Sequence, residues 1–346
     1  MPSQLLHILF GEDVFPKIPD VHRKAFALGC QGPDIFYHSQ GRRPVGLEYG
    51  TLLHRRGTGA FAAELLRVSG RSRVAGGENE TNALEAYALG FMTHAILDRH
   101  THPYIVYKSD SPHSHVVLEN YHAFFERIID ALMLKLLRGA EISSWDQEGV
   151  LAETCENPPL GLKELLAQAL IATFPERAGK DEKLKHRIEN TLLDCAGFYR
   201  RTAPSCLVTS PARPLEEGLD GVLPLRKHHL VYLYPVELPD QIDFLNIGRE
   251  PWYYPAGEKR EDRRSFPEIY AGAVAAATDS LTGIINRYLN GGVFPVRETA
   301  EAIGNGGLNI VDENGKPCAP CRSDPLPLEK VLQSLICRGG CHTYLP

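Results

Sequence analysis

Residues 93–103, THAILDRHTHP, place three imidazoles and a carboxylate within eleven positions. On a helix that advances about 100° per residue, His94 and Asp98 differ by about 40° and His102 by about 80°, so the three reach one cavity while His100 faces away. The device repeats in HAFFE, where His122 and Glu126 are one turn apart, with His115 and Glu119 earlier on the same face. Imidazole and carboxylate donors held on rigid backbone are the mixed N and O set that zinc prefers. A lone His-x-x-x-Asp is structurally trivial. Two such pairs within 33 residues, joined by His102, are not, because His and Asp are poor helix formers and costly to bury unpaired. GPDIF adds Asp34 on a Gly-Pro loop suited to presenting a carboxylate at a cavity mouth.

The elements that must hold these groups read as helices. Residues 3–11 and 22–29 are short helical stretches separated by the two prolines of FPKIPD, and TLLHRRGTGAFAAELLR is helical before the Gly-rich linker SGRSRVAGGENET. From Thr81 the apolar positions keep helical spacing, with Thr81 or Asn82 as cap and Glu85 in the first turn. Pro103 disfavours the α region for His102, which predicts a stop there. A second long helix spans 115–138, and further helices fall at 161–174, 181–202, 266–290 and 326–337. KHHLVYLYPVELPD is the one strand-like segment, too isolated to build a sheet, and its His228 and His229 read as packing or surface residues. The class is mainly α with long irregular loops.

Composition excludes some functions. The chain has 346 residues, 43% of them hydrophobic, and a formal charge of −6. It lacks the excess of Lys and Arg that a general polyanion binder needs, which leaves nucleic acid possible only as a substrate. The N-terminal MPSQLLHILFGEDVFPKIPD has no basic start, long apolar run and small-residue cleavage site, so a cytoplasmic location is expected, and no window is long and apolar enough to span a membrane.

QGPDIFYH, LLH, AYALGFMTHAILDRHTHPYI and HAFFERIID together resemble the zinc-dependent phospholipase C family, in its bacterial cytosolic branch, and more distantly the single-strand-specific zinc nucleases. The order Asp, His, His-x-x-x-Asp, His, His-x-x-x-Glu is the family's ligand order. DFLNIGREPWYYP, at 243–255, resembles the second half of these proteins, which extends the likeness over roughly 1–290. The resemblance implies an all-α, multi-helix bundle around a polynuclear site of about three zinc ions. It implies one zinc on Asp34, His54, His94 and Asp98, with Asp98 bridging to a second, and another on His102, His122 and Glu126. His7, in LLHILFG, holds the remaining one, and His115 is an alternative to His102 or His122.

The expected chemistry is phosphodiester hydrolysis by metal-activated water, with Asp34 as the residue that orients the water or accepts its proton. A phospholipid or other small phosphoester is the preferred substrate. The alternatives are a nuclease-like phosphodiesterase, with Tyr37, Tyr104, Tyr107 and residues 252–254 as stacking platforms, and a non-catalytic scaffold pinned by metal. No proposed core ligand lies beyond Glu126, so residues 1–290 read as the hydrolase domain and 291–346 as an appendage. In that tail Cys318, Cys321, Cys337 and Cys341 form C-x2-C-x15-C-x3-C. This is either a further, structural zinc site, with His342 as a substitute ligand, or a set of free or paired thiols.

Overall fold

In a computed structural model, residues 4–76, 82–110, 121–204, 231–235, 237–289 and 294–340 are described. The helices, in chain order, are α1 (Gln4–Val14), α2 (Arg23–Cys30), α3 (Leu47–Arg55), α4 (Thr58–Gly76), α5 (Ala83–Ser109), α6 (Tyr121–Arg138), α7 (Glu153–Glu156), α8 (Leu162–Thr173), α9 (Pro175–Ala178), α10 (Leu184–Arg201), α11 (Phe266–Leu289), α12 (Val296–Ile303) and α13 (Leu328–Gly340). Strands β1 (Trp252–Tyr253) and β2 (Glu261–Asp262) make a two-stranded antiparallel ribbon with Trp252 opposite Asp262. The all-α expectation therefore stands. Residues 231–235, the described part of the strand-like segment apart from 237–240, form a turn and no strand.

Helix α5 is the axis of the molecule. It packs against α1, α2, α4, α6, α11 and α12, so it is buried almost all round rather than on one stripe. Asn82 starts it with a reciprocal cap: its side chain accepts from the Glu85 amide at 2.9 Å, and the Glu85 carboxylate accepts from the Asn82 amide at 3.1 Å. The crossing with α2 is set by glycine. A Cβ on Gly29 would strike the Tyr87 carbonyl, and one on Gly90 would strike the Phe26 carbonyl, so the two backbones touch.

Pro103 does not end the helix. The ring removes the N–H that would bond the Arg99 carbonyl, a local cost of about 3 kcal/mol. The helix nevertheless continues to Ser109, because Tyr104, Ile105, Val106 and Tyr107 are buried there, and burying each is worth about 1.5–3 kcal/mol. Two other boundaries also move. TLLHRRGTGAFAAELLR is two helices, broken where Gly57 takes a φ of +78°, and the expected linker after it stays helical to Gly76. The second long helix is described from Tyr121, and His115 lies outside the described residues.

Phe294, Ile303, Leu308, Leu328 and Val331 join the same hydrophobic core as Phe10, Phe91 and Ile128. The chain after residue 293 thus shares its interior with the helices that precede it. Among the described residues no helix is long and apolar enough to cross a membrane.

Candidate metal centre

Five imidazoles and three carboxylates converge inside the bundle. Helix α1 brings His7, the 3₁₀ turn Gly32–His38 brings Asp34, α3 brings His54, α5 brings His94, Asp98 and His102, and α6 brings His122 and Glu126. They form three sets whose donor atoms lie within 4.8 Å of one another: His7, His94 and Asp98; Asp34, His54 and His94; and His102, His122 and Glu126. His94 belongs to two sets. The face arithmetic on α5 holds, since His94 Nε2 is 3.2 Å and His102 Nδ1 3.8 Å from Asp98 Oδ2. His100 turns away, and its Nδ1 donates to the Ile96 carbonyl at 2.7 Å.

Main-chain carbonyls orient three of the rings. His54 Nδ1 donates to Gly50 O at 2.8 Å, His94 Nδ1 to Cys30 O at 3.0 Å and His102 Nδ1 to Leu308 O at 2.8 Å. In the neutral ring this leaves Nε2 as the lone-pair nitrogen. Those Nε2 atoms face carboxylates: His54 meets Asp34 Oδ1 at 2.8 Å, His94 meets Asp98 Oδ2 at 3.2 Å, and His102 meets Glu126 Oε1 at 3.5 Å. Lone pair against lone pair is repulsive, so a proton or a metal cation has to lie between them. His94 Nε2 is close to Asp98 but off-line for a hydrogen bond, and it counts among the buried atoms without such a partner. The donor set therefore fits zinc.

His7 Nε2 meets Asp98 Oδ1 at 3.2 Å, and its ring stacks on His94 with centroids 4.0 Å apart. His122 Nε2 is 3.4 Å from Glu126 Oε1, while its Nδ1 side faces Asp110 at 3.7 Å. The backbone is shaped to allow this approach. Gly32 has a φ of +55°, and a Cβ there would collide with the His94 ring.

Protonation follows burial and neighbours. Burial pulls His94 down, but Asp98 and Asp34 outweigh it and hold the ring up at about 9. His122 behaves alike, raised to about 9 against burial by Glu126 and Asp110. His7, by contrast, is lowered by burial and by His94. Burial would raise the carboxylates, yet His102 and His94 hold Asp98 well below its usual range, His54 and His94 lower Asp34, and His122 and His102 lower Glu126. The acids are ionised at neutral pH and ready to accept a cation. Tyr37 lies against His54, centroids 4.4 Å apart, and burial followed by Asp34 and Asp98 pushes its hydroxyl up to about 12.

In the tail, Cys318 is half-buried and Cys321 is exposed, with its Sγ donating to Pro255 O at 3.2 Å. The Cys337 side chain, Cys341 and His342 lie outside the described residues.

Sequence reasoning missed the groups around the rings: the carbonyls of Gly50, Cys30 and Leu308, which no side-chain motif marks. Residues 6–172 match the zinc dependent phospholipase C family. That span contains every core residue named above from His7 to Glu126. No curated protein and no solved structure matches the chain.

Proposed function

Taking the family match over residues 6–172 as premise, we propose that the chain is a zinc-dependent phosphodiester hydrolase acting on a phospholipid or another small phosphoester. The observation that carries this reading is the face-to-face arrangement of imidazole Nε2 atoms and ionised carboxylates in three adjoining sets. The sets would hold about three zinc ions on His7, Asp34, His54, His94, Asp98, His102, His122 and Glu126. Zinc bound there supplies Lewis-acid stabilisation of phosphate oxygens and lowers the pKa of water toward neutrality.

The chain's own residues do the rest. Asp34, aimed by the 2.8 Å contact to His54, orients the attacking water and takes up its proton at a carboxylate oxygen. Burial of Asp98 and Glu126 keeps the acidic centre in low dielectric, where charge pairing is strong. The hydrolytic side chains all fall within residues 1–290, and 291–346 are the appendage, of which Phe294, Ile303, Leu308, Leu328 and Val331 pack into the same core. A small phosphoester is favoured over an oligonucleotide because Tyr104 and Trp252 are buried against each other, with ring centroids 5.5 Å apart, and are not available for base stacking.

The test is turnover of an activated phosphodiester by zinc-loaded protein, with and without chelator, followed by phosphatidylcholine vesicles against single-stranded oligonucleotides. Asp34→Asn should lower the rate by about 10²–10³-fold while most zinc remains. Cleavage of oligonucleotides alone would reverse the substrate assignment, and absence of any phosphoester turnover by the loaded protein would return the metals to a structural role.

A further inference from the structure

The segment Ile303–Leu308 lies outside the span that matches the family, yet it touches two of the metal sets. Leu308, fully buried, uses both of its peptide groups. Its carbonyl accepts from His102 Nδ1 at 2.8 Å, and its N–H donates to the His54 carbonyl at 3.0 Å. His54 and His102 belong to different sets and come from different helices, so a single residue braces both.

Arg99 ties the segment down. Its Nε donates to Gly307 O at 3.2 Å, Nη2 donates to Gly304 O at 3.0 Å and to Gly306 O at 3.1 Å, and Nη1 donates to Ile303 O. Gly304, with a φ of +83°, leaves room for the guanidinium, since a Cβ there would lie 3.1 Å from Nη1. The same turn caps the start of α4: the Gly59 amide donates to Gly304 O, the Gly57 amide to Asn305 O, and the Ala60 amide to the Asn305 side chain at 2.8 Å. A planar cation with five donors suits a row of carbonyls in a way that an ammonium cannot.

We propose that Ile303–Leu308, held by Arg99, is the outer positioning element of the metal centre. It selects the Nδ1–H tautomer of His102, so that Nε2 turns toward Glu126, and it fixes the backbone that carries His54. Arg99 is a positioning residue, since its guanidinium donates to the main-chain carbonyls of this segment. This inference rests on the zinc hydrolase reading.

Full-length Arg99→Ala and Arg99→Lys proteins test it. Zinc occupancy is read by competition with a chelator of known affinity, folding by circular dichroism, the His102 tautomer by imidazole ¹⁵N shifts, and kcat, KM and pH profile with bis(4-nitrophenyl) phosphate. For the folded Ala variant the expected results are a zinc affinity about 10–100-fold weaker, a mixed His102 tautomer, and a fall in kcat larger than the change in KM. The Lys variant, which keeps the charge and loses the fork, should fall between.

Parental zinc affinity and a parental His102 tautomer in the Ala variant would overturn the proposal. Should that variant not fold, the Lys variant decides by the same criteria. A parent that binds zinc and shows these shifts without hydrolysing any phosphoester would sink the functional reading and keep the positioning role. A parent that hydrolyses beside an unaltered variant does the reverse, and a parent that takes up no zinc sinks both.

Discussion

Helix α6 carries two buried charged clusters one turn apart, and they are built on opposite plans. Around Arg127 and Asp130, both fully buried, the chain supplies its own cation: the guanidinium lies 4.4 Å from the Tyr234 ring centroid and donates toward Gln147 and Thr202. Asp130 accepts from the Leu5 and Leu6 amides at the start of α1 and from the Tyr234 hydroxyl at 3.1 Å. Around Glu126, and across to Asp98 and Asp34, the partners described above are all imidazoles. A guanidinium cannot give up its proton, so the first cluster keeps its cation at any physiological pH, and its Asp130 holds the start of α1 on α6. Imidazoles can exchange a proton for a metal, so the positive charge of the second is replaceable where that of the first is not.

Substitution separates the two clusters. The largest effect is expected for His94→Ala, because that ring belongs to two of the three sets. Zinc content should drop and turnover fall to the level of chelated protein, as read by elemental analysis and phosphodiester assay. Full zinc content in this variant would show that the sets are not ligand sets.

Next comes Arg127→Ala, which takes the guanidinium, 4.0 Å away, from the buried Asp130 carboxylate and leaves it its amide and hydroxyl donors. Stability should fall by about 3–5 kcal/mol in chemical denaturation, with zinc per chain unchanged in the folded fraction. Loss of zinc at unchanged stability would mean that the two clusters are one.

The pH dependence sharpens the contrast. His94 and His122 sit at about 9 in the folded chain against an ordinary 6.5. Without metal, their contribution to stability is complete below pH 6.5 and is lost as pH rises through 9. Zinc must displace those protons, so uptake at pH 7 should release about two protons per chain, and affinity should climb toward pH 9. Calorimetric titration in buffers of different ionisation enthalpy measures the release. Zinc binding with no proton release would contradict the pairing of imidazole with carboxylate. The smallest effect is expected for His100→Ala, whose ring donates back to its own helix. It should change stability by less than about 0.5 kcal/mol and leave zinc content alone.

Periodicity made much of this legible. The expected helix at 161–174 is Leu162–Thr173, the one at 266–290 is described as Phe266–Leu289, and the 100° rule placed His94, Asp98 and His102 on one face. The run through Pro103 was not legible, because a local penalty was outweighed by burial of Tyr104 to Tyr107, a tertiary effect with no local sign. Nor was the contact of Leu308 with His54 and His102, since every residue has a carbonyl and an amide and only the fold says which are used. No motif marks Arg99, which stands in the sequence only as a charge beside Asp98. Its four carbonyl partners lie more than 200 positions away in sequence.

The bare contact between α2 and α5 has a bearing on how this protein tolerates change. Gly29 and Gly90 let two backbones meet, and Cys30 and Gly32, just beyond the crossing, are the residues that hold and make room for the His94 ring. One added methyl at either glycine would act as a wedge, prising the Cys30 carbonyl from the ring and Asp34 from its partners. A mutagenesis screen scored by turnover alone should therefore mark positions 29 and 90 as intolerant, although neither residue has a side chain with a lone pair to give, and its map of sensitive sites would trace the helix crossing as clearly as the chemistry.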